Sequence, residues 1–172
     1  MAQAIDEITG ERALIKWVND VYFHGRKVCG ILTEASVDFE NNGLQYAVLG
    51  MGVNLVEPEG GFPGEVAQVA GALFKGKAPP GARTKLAAAI LNHFFAYYQA
   101  MPRRAYMEEY RARSLLTGVG ITFQEGDALR EGTVLGIDSQ ARLVVQLPDG
   151  AEKRFGAGEG NIKRDFLEKL RG

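Results

Sequence analysis

Lys16-Trp17-Val18-Asn19-Asp20, then Arg26-Lys27-Val28-Cys29-Gly30-Ile31-Leu32-Thr33-Glu34, then Gly50-Met51-Gly52-Val53-Asn54 are the stretches that decide how this chain reads. Each is a short apolar segment carrying a lysine or a carboxamide where a plain core strand carries neither. Lysine and asparagine are poor strand formers and costly to bury. Two lysines and two asparagines set among strand residues point to a site that grips an anion and a polar ring.

Around these motifs the sequence reads as a meander of mostly antiparallel strands. Residues 13–17, 21–23, 27–35 and 44–49 carry the strand signals. His24-Gly25 forms one turn, and Asn41-Asn42-Gly43 supplies a tight hairpin because Asn and Gly tolerate positive φ. Ahead of the strands, residues 1–9 read as the tail of a helix with Ile5 and Ile8 on one face and Gly10 as its stop. Behind them, 57–64 is a Pro- and Gly-rich loop and 65–74 a short helix. Residues 84–101 form the clearest helix, with Leu86, Ile90, Phe94 and Tyr97 at helical spacing. Pro102 opens a second helix that runs to about Arg113 and buries Tyr106 and Tyr110.

From Leu116 the pattern changes to five short β segments, 118–124, 128–137, 143–147, 152–155 and 161–162. Such evenly spaced strands predict a small closed barrel. The domain boundary falls at 114–117, giving units 1–114 and 115–172. The fold class is therefore α+β, a mixed sheet with helices followed by a small β-barrel.

With 172 residues the chain can bury a real core, and a net charge of −1 gives no long-range attraction to nucleic acid or an anionic membrane. Cys29 is the only cysteine, so no intrachain disulfide forms, in keeping with a reducing compartment. No apolar run reaches membrane-spanning length, and Met1 to Glu7 lack the regions of a signal peptide. A cytoplasmic protein is the expectation.

Several chemistries find no support. The two histidines, His24 and His93, form no zinc set with a single cysteine, and His93 reads as a surface or structural residue. No serine sits in a nucleophile elbow, and Leu55 stands where a dinucleotide fingerprint needs its third glycine. What remains is the strand motifs. Gly30 removes a side chain where a ligand or another backbone could approach. Lys27 at the head of that strand fits a fixed charge beside a phosphate or carboxylate, and equally a solvated hairpin lysine. Lys16 to Asp20 fits a site edge or a core tryptophan in an Asn-Asp turn. Gly50 to Asn54 fits a ligand contact or a glycine-kinked packing strand. Cys29 reads as a small buried apolar residue rather than a nucleophile.

In order and spacing the three motifs resemble the biotin protein ligase family, whose pattern is Lys-Trp-Pro-Asn-Asp, then Lys-(Val/Leu)-(Ala/Cys)-Gly-Ile-Leu-(Val/Thr)-Glu, then Gly-(Ile/Met)-Gly-(Ile/Val)-Asn. Leu116-Thr117-Gly118, Gly132-Thr133-Val134, Gly136-Ile137-Asp138 and Asp149-Gly150 extend the likeness into the terminal region. The resemblance covers residues 13–163 and implies a class II synthetase-like sheet with an SH3-like C-terminal barrel. It implies biotin, ATP and Mg²⁺: biotin's carboxylate attacks the α-phosphate, pyrophosphate leaves, and a carrier-domain lysine of a carboxylase takes the biotin. It implies Lys27 as the catalytic residue on the carboxylate and α-phosphate, with Gly30 beside biotin. Lys16, Asn19, Asn54 and Lys163 fall to the nucleotide, with no metal ligand assigned. A homodimer is a further implication.

Val18 stands where the family has proline, which removes no chemical group. The family's Gly-Arg-Gly-Arg-x-Gly-Arg loop, ahead of the Lys-Trp motif, has no counterpart here. The expectation is a C-terminal ligase portion, weak or inactive alone. The alternatives are a non-catalytic carrier-binding or interaction module, and a lipoate-transferring relative.

Overall fold

The computed structural model describes residues 1–38 and 43–158. Helix α1 (Ala2–Thr9) buries Ala4 and Ile5 and stops at Gly10, whose positive φ of 78° lets its N–H reach Asp6 O at 2.7 Å. Four antiparallel strands follow in sequence order, β1 (Leu14–Lys16), β2 (Asp20–Phe23), β3 (Arg26–Asp38) and β4 (Gly43–Val53). The last two are longer than the sequence suggested, so Gly50-Met51-Gly52-Val53 lies inside β4 rather than after it. The hairpin turn assigned to Asn41-Asn42 lies outside the described residues.

The expected helix at 65–74 is not there. Gly64–Gln68 make one 3-10 turn, and the chain then runs extended beside the sheet. Two backbone bonds tie it to β3, Lys27 N to Val69 O (2.9 Å) and Gly71 N to Lys27 O (2.9 Å). A third joins Leu73 N to Asn54 O (3.0 Å). Pairing to a sheet satisfies the same backbone groups a helix would, and here it wins.

Helix α2 (Ala82–Gln99) forms as expected and buries Ala82, Leu86 and Ala89. Burying a leucine of this kind contributes roughly 1.5–3 kcal/mol. Pro102 does not open the next helix. It sits in a 3-10 turn, Met101–Arg103, and Arg104 at φ 48° breaks the path before α3 (Tyr106–Ala112). Met107 is the buried residue of α3, while Tyr106 and Tyr110 are half-buried.

A second antiparallel sheet holds β5 (Gly120–Glu125), β6 (Ala128–Ile137), β7 (Leu143–Gln146) and β8 (Glu152–Phe155) in that order. The β segment expected at 161–162 lies outside the described residues. Phe123, Val134, Leu143 and Val145 are fully buried beneath it. That core also takes in Trp17, Tyr22 and Met107, while a second core lies among α1, α2 and the first sheet. The two sheets are stitched together at Ile15, which bonds Arg113 O (2.7 Å) and Leu115 N (2.8 Å). Arg113, buried, reaches Asp6 (2.6 Å), Glu109 (2.5 Å) and Ala13 O (2.8 Å), tying α1, α3 and the approach to β1.

Candidate functional site

The strand register sets the floor of the site. Lys16 opposes Asp20, Asp20 opposes Gly30, and Gly30 opposes Gly52. Directly opposed residues share one face, so one row across four strands reads Lys16, Asp20, Gly30, Gly52. Half of that row has no side chain. A Cβ on Gly30 would lie 3.5 Å from the Lys27 amine and 3.7 Å from Asp20 Oδ1, whereas one on Gly52 would meet nothing within 4 Å. The glycines leave a shallow trough that ends at a cation.

That cation is fixed. Lys27 Nζ lies 2.6 Å from Asp20 Oδ1, and the Lys27 backbone is bonded on both sides to the 69–71 segment. Lys27, Cys29, Gly30, Gly52, Val53 and Asn54 line a cavity of about 540 Å³ with Glu65, Val66, Val69 and Ala70 on its opposite wall. The carboxamide of Asn54 donates to Gly71 O at 2.9 Å, so it secures that wall as well as facing the cavity. The Cys29 thiol is pushed up to about 11 by burial and stays protonated at neutral pH.

The structure therefore gathers Lys27, Gly30 and Asn54 on one cavity. Lys16 lies in the same row, two strands from Gly30. Asn19 does not line the cavity. It is exposed at the neighbouring turn, where its amide donates to Ile31 O and its carbonyl accepts from Ile31 N. Lys163 lies outside the described residues. Two contributors escaped the sequence reading: Asp20, which appeared only as a turn residue, and the Glu65–Ala70 wall, hidden behind a helical pattern. Nothing in the sequence separates Asp20 from an ordinary turn aspartate before the strand register is known.

His93 is the surface residue expected, 3.2 Å from Glu7. Trp17 is buried in the β5–β8 core with its indole donating to Ala141 O at 2.9 Å, and the Trp17–Val18 peptide is cis where the family pattern has proline. A larger cavity, about 890 Å³, lies beyond the wall between His24, Arg26 and Phe62; it shares Ala70 with the smaller one and meets the three motifs at Arg26. The smaller cavity brings together residues of the second and third motifs, Lys27, Gly30 and Asn54, so we take it as the candidate site.

Comparison with known proteins finds chains of similar sequence and fold. The model of the biotin/lipoate A/B protein ligase family matches residues 1–54, the span that contains every one of the three motifs. The chain is similar to biotin protein ligases over most of its length. It is 32% identical over 151 residues to the biotin–[acetyl-CoA-carboxylase] ligase of Paracoccus denitrificans, covering 82% of this chain and 60% of that one. It is 27% identical over 163 residues to the bifunctional ligase/repressor BirA of Bacillus subtilis, covering 91% and 49%. The chain thus spans about half the length of the BirA relatives it matches. Biotin protein ligase from Aquifex aeolicus shares the fold. Its crystal structure superposes at a TM-score of 0.75 with 23% identity over 95% of this chain and 70% of that one. The same enzyme in complex with biotin and ATP gives 0.70 with 23% identity, covering 95% and 67%.

Proposed function

We propose that this chain contributes the Lys27 cavity of a biotin protein ligase, which joins biotin to AMP and passes biotin to a lysine of a carboxylase carrier domain. The observation that carries the reading is the Lys27–Asp20 pair at the end of a glycine-floored trough. Adenylation brings a carboxylate against a triphosphate, and the first obstacle is their repulsion. A positioned ammonium offsets it without reorganising. As the carboxylate oxygen bonds to the α-phosphorus and the bond to pyrophosphate breaks, charge moves onto oxygens beside Lys27. The carrier amine then attacks the acyl carbon and AMP leaves.

In this reading Gly30 gives biotin its approach to the amine, and Asn54, Asn19, Lys16 and Lys163 serve the nucleotide. Mg²⁺ would arrive with ATP. The described residues present no group of three His, Cys, Asp or Glu that could hold it, so phosphate oxygens would supply most of its ligands. Residues 1–114 form the ligase portion and 115–172 a small SH3-like barrel, a reading supported by the β5–β8 core. The exposed Leu44, Tyr46 and Val48 on the β3–β4 arm support a homodimer. No helix of the described residues is long and apolar enough to cross a membrane, and the family reading favours the cytoplasm.

The test is formation of biotinyl-AMP from biotin, ATP and Mg²⁺, followed by labelling of a biotin-carrier domain. It is run with the chain alone and with the N-terminal portion of the Paracoccus relative added. Adenylate in either arm supports the reading. Its absence from both, with carrier binding intact, would favour a non-catalytic module.

A further inference from the structure

The wall opposite Lys27 is held from behind by a single side chain. Adjacent strand residues point to opposite faces, so Arg26 emerges on the far side of β3 from Lys27. It borders the larger cavity, whereas Lys27 borders the smaller one. Its guanidinium Nη1 donates to Ala67 O at 2.9 Å and to Ala70 O at 3.3 Å. Both carbonyls belong to the segment that supplies Val66, Val69 and Ala70 to the wall.

The fit between Arg26 and that segment is close. A Cβ on Gly71 would sit 2.6 Å from Arg26 Cβ and 3.3 Å from its Cδ, so Gly71 admits the arginine stem against the backbone. The segment has little else to order it. Beyond the bonds of its own 3-10 turn, Val69 N and Ala70 N bond Val66 O (3.0 and 2.8 Å), and residues 65–68 are exposed. A lone 3-10 turn is a weak element. The sheet bonds fix the segment only from residue 69 onward. The bond to Ala67 O reaches into the turn itself.

We propose that Arg26 is a positioning residue. It holds the 66–71 wall against the Lys27 cavity and so sets the shape of the nucleotide side, where Asn54 bonds the same wall at Gly71. It touches no ligand. This inference rests on the adenylate reading of the cavity given above.

The experiment compares the wild-type chain with Arg26→Ala, Arg26→Lys and Gly71→Ala. Amide hydrogen exchange over 64–72 is measured together with calorimetric titration of a non-hydrolysable biotinyl-adenylate analogue. Circular dichroism confirms that each variant is folded. Arg26→Ala is expected to speed exchange at 66–71 about tenfold and weaken the analogue about tenfold, as befits charge-assisted bonds removed from a turn. Arg26→Lys, able to serve one carbonyl, should recover part of both. Gly71→Ala, which displaces the arginine stem, should reproduce both and stands in if Arg26→Ala does not fold. Faster exchange with unchanged affinity overturns the proposal, because the wall then does not shape the site. Lost affinity with unchanged exchange also overturns it, because Arg26 would then touch ligand. A wild-type chain that binds no analogue either alone or with the N-terminal portion of the Paracoccus relative added overturns the reading of the cavity itself, a result separable from the other two.

Discussion

Replacing Lys27 by alanine should nearly abolish adenylate formation, and the size of the loss follows from the site. The Lys27 amine stands 2.6 Å from Asp20 Oδ1 at the edge of the cavity, with its side chain 38% exposed. A unit anion arriving at about 4 Å gains about 4 kcal/mol at an effective dielectric constant near 20. Partial exposure screens some of this, and part is already present with substrates bound. Roughly 2–4 kcal/mol then remains for the transition state, comparable to removing one oxyanion-hole donor. Biotinyl-AMP formation in Lys27→Ala should fall about 30- to 900-fold, read by single-turnover chromatography in whichever arm of the functional test is active. Asp20 adds a second measurement. Without Lys27 its carboxylate, 20% exposed, faces the incoming anions unpartnered. The Lys27→Ala, Asp20→Asn double variant should therefore outpace Lys27→Ala by about tenfold, a factor worth about 1.4 kcal/mol. Lys27→Ala within threefold of wild type, or a double variant slower than the single, would refute the electrostatic reasoning.

Other outcomes follow from the same coordinates. Gly30→Val should leave the melting temperature within a few degrees yet abolish biotin binding by calorimetry, because its branches extend beyond a Cβ position already 3.5 Å from the Lys27 amine. Arg113→Ala should lower unfolding free energy by about 3 kcal/mol in urea titration, since it strands Asp6 and Glu109 and opens the buried joint at Ala13. Cys29, with its thiol pushed up to about 11, should resist iodoacetamide in the folded chain at pH 8 and react only as pH approaches 11 or the chain unfolds. The thiol is raised in the folded state, so its contribution to stability is complete below the unfolded thiol's range and is lost as pH climbs toward 11.

The first sheet was legible because its residues announce themselves locally. Val21 to Phe23 and Val28 to Leu32 are strand formers bounded by turn residues, and Gly10 marks the end of α1. The 65–74 segment was misread because Val66, Val69, Ala70 and Leu73 fall at helical spacing. What makes it extended is its pairing to Lys27 and Asn54, distant in sequence. Arg113 was invisible for the same reason. An arginine near a helix end reads as solvated, and its burial depends on Asp6, more than a hundred residues earlier. Of the candidate site, Lys27, Gly30 and Asn54 could be singled out from the motifs, with their roles supplied by the family resemblance. Asp20 as the counter-ion could not, because a turn aspartate and a site aspartate look alike until the register is known.

The second sheet bears on the site through the residues between Lys16 and Asn19. Trp17 buries its ring in the β5–β8 core and donates its indole N–H to Ala141 O, while Val18 O accepts from the Tyr110 hydroxyl at 2.8 Å. One residue earlier, Ile15 is bonded on both backbone groups to the chain around Ser114. The two candidate groups thus flank a turn whose geometry is imposed by α3 and by the β6–β7 turn, not by its own sequence. A tryptophan in a bare Asn-Asp turn would be free to swing, and Lys16 and Asn19 would swing with it. Anchoring it at 2.9 Å in another sheet removes that freedom before any ligand arrives, which lowers the ordering cost of binding. That accounts physically for a tryptophan standing between a lysine and an asparagine. Its ring belongs to the β5–β8 core, while Lys16 beside it belongs to the first sheet.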